Sequence, residues 1–240
     1  MRLDKFLAQT GYGSRKEVKI LIKKGHVTVD GQLIKSDKYQ VDEMNTHITV
    51  DGERVVYQKY FYYLLNKPSG VVSATQDAYD RTVLDLIKRE DYREDLFPVG
   101  RLDKDTEGFL LLTNDGDLAH RLLSPKKHVE KEYYAQVKGV MTIVDKEKFA
   151  SGLVIDGGEQ TLPAELQILT TSIEENRSEI HLVLHEGKFH QVKRMVKVVG
   201  KEVLFLKRIR MGGLYLPPNL PVGHYRELTT LELKKLSNED

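Results

Sequence analysis

The chain of 240 residues has no cysteine and no tryptophan. Missing thiols exclude a disulfide scaffold, thiolate redox chemistry and a cysteine-ligated zinc finger. Long apolar runs are missing as well, since no stretch approaches the roughly 20 residues that cross a bilayer as a helix. The opening Met1-Arg2-Leu3-Asp4-Lys5 holds an acidic residue and no small-residue cleavage site, so a secretory leader is not expected. The expectation is a cytoplasmic protein with no membrane partner. What is present is 40% hydrophobic and 30% charged, the composition of a folded globular chain. A chain of this size buries roughly 70–75% of its unfolded surface, enough for one large domain or a large domain with a small module.

The net charge of +1 is unevenly spread. Residues 1–26 carry seven Lys/Arg against two Asp/Glu, a net of +5. Residues 187–210 carry eight against the single Glu202, a net of +7, which leaves −11 on the rest. A single basic run is most often a solvated helix face. Two of them on an otherwise acidic chain suit a polyanion such as nucleic acid.

The first 57 residues read as a small α/β module. Leu3, Phe6 and Leu7 repeat at helical spacing up to Gly11. Ser14 and Glu17 form a capping box for a second helix with Val18, Leu21 and Ile22 inward and Gly25 as its stop. Val27–Val29 before Asp30-Gly31, and Ile48–Val50 before Asp51-Gly52, read as short strands entering tight hairpin turns. Arg2, Lys5, Ser14, Arg15, Lys16, Lys23, Lys24 and His26 are the candidate RNA contacts of this module.

After a linker near residues 56–60, a larger domain spanning 60–240 is expected. Strands are predicted at 61–65, 71–73, 108–113, 133–137, 153–155, 164–169, 179–185 and from 203. Helices are predicted at 82–89, after Asp115-Gly116-Asp117 with Leu118, Leu122 and Leu123 inward, and from Phe189. Strands outnumber helices without a β-α-β rhythm, so the fold class is α+β with a mixed or antiparallel sheet. His181 and His185 fall on a strand-like alternation that separates them by roughly 13 Å, too far for one ion.

Two clusters carry candidate chemistry. Between Gly100 and the apolar run 108–113 lie Arg101, Asp103, Asp105, Thr106 and Glu107. The residues alone allow a nucleophile, a paired-carboxylate hydrolase or an idle polar turn, and polar loops mostly serve as connections. In the second cluster, a helix burying Val192, Met195, Val196 and Val199 leaves Lys193, Arg194 and Lys197 off its apolar stripe. These are either a solvated basic face or cations placed for a carboxylate or phosphate.

Residues 1–57, with Arg2-Leu3-Asp4-Lys5-Phe6-Leu7, Ser14-Arg15 and the run from Leu21 to Gly31, resemble the RNA-binding domain named after ribosomal protein S-four. Farther on, Gly100-Arg101-Leu102-Asp103-x-x-Thr106-x-Gly108-x-Leu110-Leu111 resembles the catalytic motif of the RsuA-type pseudouridine synthases. Asn66-Lys67-Pro68-x-Gly70, Lys131-x-Tyr133 and Glu186-Gly187-Lys188-x-His190-Gln191-Val192-Lys193-Arg194-Met195 resemble three further motifs of that family, in the same order.

The resemblance implies Asp103 as the essential carboxylate, Lys193 as its basic partner and Tyr133 as the ring stacked on the target uracil. It implies that Lys67 and Pro68, with Leu102 and Thr106, support the catalytic loop. Arg101 is then the candidate to hold the displaced RNA backbone or to fill the space the base vacates. Lys126, Lys127, His190, Arg194, Arg208 and Arg210 are the candidate RNA contacts of the larger domain. No cofactor and no metal is implied, rRNA or an assembling ribosomal particle is the partner, and a monomer is expected. Large-subunit enzymes of the family mostly carry arginine at the position of Lys193 and often lack His190, so this chain is similar to the 16S rRNA branch. The alternatives are a 23S rRNA enzyme, a non-catalytic ribosome-assembly factor and a glycosidase-like hydrolase. Asp105 and Glu107 are assigned to the turn.

Overall fold

A computed structural model describes residues 1–237. The chain divides into two compact units, one of residues 1–61 with 87–95 and one of residues 62–86 with the chain from 96 onward.

The first unit opens with α1 (Leu3–Gln9) and α2 (Arg15–Lys24). The Ser14 side chain accepts from the Glu17 amide and the Glu17 carboxylate accepts from the Ser14 amide, the reciprocal cap read from the sequence. Gly25 ends α2 in the left-handed conformation, which its missing Cβ permits. The strands β1 (Val27–Val29), β2 (Gln32–Leu33), β3 (Ile48–Val50) and β4 (Glu53–Arg54) form an antiparallel sheet in the order β2-β1-β3-β4. Asp30-Gly31 and Asp51-Gly52 have positive φ at both central positions, as the hairpin turn requires. Leu3, Phe6, Leu7, Val18 and Ile22 bury against Val27, Val29, Ile48 and Val50, each side chain contributing about 1.5–3 kcal/mol of burial. The 87–95 segment joins this unit with the Arg93 guanidinium over the Phe61 ring at 4.6 Å.

The second unit holds β5 (Tyr62–Lys67), β6 (Phe97–Pro98), β7 (Glu107–Thr113), β8 (Lys131–Lys138), β9 (Val154–Ile155), β10 (Glu159–Gln160), β11 (Glu165–Ser172), β12 (Arg177–Leu184), β13 (Glu202–Met211), β14 (Leu214–Tyr215) and β15 (Tyr225–Glu227). Its helices are α3 (Gly116–Leu123), α4 (Ile143–Ser151), α5 (Gln191–Val198) and α6 (Thr230–Ser237). The main sheet runs β11-β12-β8-β13-β7-β5-β15, with β14 on β13 and β6 on β7. It is mixed, as expected: β13 and β7 pair in parallel while β8, β12 and β5 meet their neighbours antiparallel. Phe109 and Leu111 of β7 and Leu64 of β5 pack with Leu118 and Leu122 of α3 and Leu236 of α6. Leu110 and Leu112 are equally buried, so β7 is covered on both faces and reads as a continuous apolar run.

Gly108 explains why β13 approaches β7 so closely. A Cβ at this position would lie 2.2 Å from the Arg208 carbonyl oxygen, and its φ of +101° is one that other residues rarely adopt.

Three local expectations are corrected. Residues 71–73 make only a single bridge, Val72 to Thr82, and the Ser73 hydroxyl is engaged by the Leu102 main chain. The helix expected over 82–89 is a single 3-10 turn, Val83–Leu86, where the Asp85 carboxylate accepts from the Thr82 amide and hydroxyl. Leu123, expected inward, is exposed on the last turn of α3.

Candidate active site

The loop 100–106 lies between β6 and β7, and its main chain is held from behind. Lys67, the last residue of β5, is fully buried. Its Nζ donates to the carbonyl oxygens of Pro68, Asp103, Lys104 and Thr106 at 3.0, 3.1, 3.3 and 2.9 Å. Burial brings the Lys67 pKa down to about 8, against the opposing pull of Asp105, Asp103 and Glu107. Ser73 clamps the other side: its hydroxyl donates to the Leu102 carbonyl at 3.0 Å and accepts from the Leu102 amide at 3.1 Å. The Thr106 amide closes the turn onto the Asp103 carbonyl at 3.0 Å. Leu102 and Thr106 are buried, so the loop is anchored at both ends. Nothing in the sequence singled out Ser73.

With its backbone fixed, Asp103 presents a carboxylate that is 22% exposed. Lys193, in the first turn of α5, places Nζ 3.0 Å from Asp103 Oδ2. The same ammonium lies 2.6 Å from Asp105 Oδ1. Assigning Asp105 to the turn alone is therefore incomplete, because it shares the cation that faces Asp103. Burial pulls the Lys193 ammonium towards neutrality, but the bonds and charges of Asp105 and Asp103 outweigh it and raise its pKa above the ordinary lysine value. At Asp105 burial acts to raise the pKa, and Lys193 outweighs it and holds the carboxyl below its usual range. His190 Nε2 stands 3.5 Å from Asp103 Oδ1. Its backbone is left-handed, with φ +49°, at the start of α5.

Tyr133 lies on β8 and is buried, opposite Arg208 of β13. Arg208 in turn registers with Gly108 of β7, so the strands join the Lys131-x-Tyr133 segment to the stem of the loop. Arg208 is only 2% exposed, and its Nε donates to the Phe109 carbonyl at 2.8 Å. That corrects its assignment as an RNA contact, since a guanidinium inside the sheet layer does not meet a phosphate at the surface. Arg210 is corrected likewise, because it is paired with Glu132 at 2.6 Å and Glu130 at 2.7 Å. Arg194 is bound to Asp156 and, at 2.6 Å, to Glu159, which neutralises it within the fold.

In the first unit, Arg2 and Arg15 converge on the buried Asp4 carboxylate at 2.9 and 3.1 Å. The Ser14 hydroxyl is occupied by the α2 cap, and His26 pairs with Asp51 at 2.6 Å. Lys5, Lys16, Lys23 and Lys24 are exposed there, as are Arg101, Lys126 and Lys127 in the second unit.

A rigid loop that offers an anion, flanked by an ammonium and an imidazole, is equipped for nucleophilic attack or proton abstraction. Both carboxylates lean on one cation, so a hydrolase pair with separately tuned acid and base is not what the geometry offers.

Comparison with known proteins agrees on both units. Residues 61–197 match the family model described as RNA pseudouridylate synthase, and residues 1–46 match the S4 domain. An uncharacterized RNA pseudouridine synthase of Bacillus subtilis (strain 168), YtzG, is 52% identical over 237 residues, covering 99% of this chain and 98% of the relative. Ribosomal small subunit pseudouridine synthase A of Pseudomonas aeruginosa is 40% identical, with 97% of this chain and 99% of the relative covered. Ribosomal large subunit pseudouridine synthase B of Bacillus subtilis is also 40% identical, with 98% and 95% covered. A crystal structure of a pseudouridylate synthase, 34% identical, superimposes with a TM-score of 0.68 over 98% of this chain and 99% of that one.

Proposed function

The chain belongs to the RNA pseudouridylate synthase family, carries an S4 domain ahead of the catalytic one, and we propose that it converts one uridine of 16S rRNA to pseudouridine with Asp103 as the reacting carboxylate. In this isomerisation the N1–C1′ bond breaks, uracil turns within the site and C5 bonds to C1′. The C5 hydrogen leaves as a proton and N1 takes one up, so no water and no cofactor is consumed. Asp103 attacks C1′ or C6, or removes a sugar proton. Lys193 holds it aimed, with the ammonium 3.0 Å from Oδ2. Tyr133 stacks on the base, which must leave its helix to be reached. Arg101, exposed beside Asp103 in the chain, holds the RNA that the base has left.

The observation that carries this reading is the Asp103–Lys193 pair at 3.0 Å on a loop fixed by Lys67 and Ser73. The small-subunit target rests on Lys193 with His190 beside it, the pattern of that branch. The enzyme works as a monomer in the cytoplasm, on free rRNA or an assembling particle. Incubation with unmodified 16S and 23S rRNA, free and in assembling subunits, followed by adduct formation and primer extension, tests the target. A single new 16S stop is expected. A single 23S stop would place the enzyme in the large-subunit branch, and tight binding without modification would favour an assembly factor.

A further inference from the structure

Phe189 is a large apolar ring left 75% exposed next to the candidate site. A lone exposed apolar residue needs no explanation, but this one is neither alone nor loose. Its ring stacks on His190 with centroids 3.7 Å apart and planes 22° from parallel. His190 in turn lies 3.5 Å from Asp103. The ring pair therefore stands at the lip of the site, with His190 on the inner side.

The loop that presents it is over-determined. The Lys188 amide donates to Gln191 Oε1 at 2.8 Å, and Gln191 Nε2 donates to Glu186 Oε1 at 2.7 Å. Glu186 also accepts from the Leu162 amide at 2.8 Å. Arg194, anchored on Asp156 and Glu159, donates Nη1 to the Phe189 carbonyl at 3.1 Å. His190 holds a left-handed backbone that is uncommon for a residue with a Cβ. Strain of this kind persists where the surroundings enforce it, often at binding sites. Nothing about burying apolar surface accounts for this investment, because the ring it positions stays in water.

Resting on the reading of Asp103 as the carboxylate that acts on RNA, we propose that Phe189 and His190 form a stacking platform for the RNA base next to the flipped uridine. Extruding one nucleotide bares the faces of its neighbours, and unpaired bases are recognised chiefly by stacking on aromatic rings. The spacing of the two rings matches the roughly 3.4 Å repeat of a nucleic-acid stack, so an incoming base extends a stack already begun. The occupant is a nucleobase because the site beside it holds a nucleotide. The platform is indifferent to which base arrives, since every base has a π face.

The missing tryptophan supplies the test. A Phe189→Trp variant contains the chain's sole tryptophan, and its emission is read during titration with unmodified 16S and 23S rRNA transcripts to saturation by filter retention. Emission is expected to fall at least twofold on binding. Phe189→Leu, which keeps apolar bulk without a π face, is expected to lose about tenfold in kcat/KM, mainly through KM, with an unchanged thermal midpoint. Phe189→Tyr recovers most of that loss. Emission unchanged at saturation, or Phe189→Leu equal to the parent in kcat/KM, would overturn the platform. If the unsubstituted chain modifies neither rRNA, free or in assembling subunits, the pseudouridine reading fails separately, and the emission of Phe189→Trp still decides whether a base stacks there.

Discussion

At the scale of the residue, the Lys67 ammonium is a buried charge spent on main-chain carbonyls of the loop 100–106. Its pKa of about 8 lies below the unfolded lysine value of about 10.4. Folding therefore disfavours the proton, and the penalty is present in full below pH 8. It is relieved as pH rises from about 8 towards 10.4, so this group adds stability across that window. Deprotonation also removes one of three N–H donors from the loop behind Asp103. Activity and stability are thus expected to part above pH 8. The pH profile of kcat should fall with an apparent pKa near 8, while the Lys67 contribution to the thermal midpoint does not fall. A kcat flat to pH 9.5 contradicts this role. Lys193 does not produce that limb, because Asp105 and Asp103 raise its pKa.

At the scale of the element, the close pairing of β7 and β13 carries the loop stem, and Gly108 is its weak point. Gly108→Ala forces a Cβ to within 2.2 Å of a backbone oxygen at positive φ. A cost of about 3–4 kcal/mol is expected, seen as a thermal midpoint lower by roughly 6–16 °C. A shift under 2 °C would show that the strands part easily. The elements best legible in the sequence are those with a local reason. β7 is a seven-residue strand buried on both faces, and α2 begins at a capping box and ends at a glycine. α4 was missed because Ile143 and Val144 are apolar yet exposed, which blurs its period. Its signal was the Thr142–Asp145 capping box, and α6 carried the same kind of signal in Thr229 and Glu232. The 3-10 turn at 83–86 was illegible because residues 87–95 leave for the other compact unit, a long-range choice that no local pattern records.

At the scale of the whole molecule, the basic runs at 1–26 and 187–210 overstate the charge offered to RNA. Asp37 engages Arg2 and Lys19, Asp156 and Glu159 engage Arg194, and Glu130 and Glu132 engage Arg210. Charge counting along the chain does not see these pairings, because their partners come from distant positions. The order of the modules and the motif residues of the site were legible, since each motif is contiguous. The sharing of Lys193 between two carboxylates was not, because it depends on where α5 meets the loop. That sharing makes the central claim unusually clean to test. Asp103→Asn leaves Lys193 paired with Asp105 at 2.6 Å, so the fold is expected to keep its thermal midpoint within about 1 °C, as surface changes that disturb no buried feature do. Isomerisation replaces the C5–H bond of uridine, so rRNA tritiated at C5 releases its label to water on turnover. The measurement to make is tritium release by the parent chain and by Asp103→Asn, with rRNA binding followed in parallel. The account predicts release near one equivalent per rRNA for the parent and none above background for Asp103→Asn, with binding retained. Release by Asp103→Asn at the parent rate would contradict it and return Asp103 to the role of a turn residue.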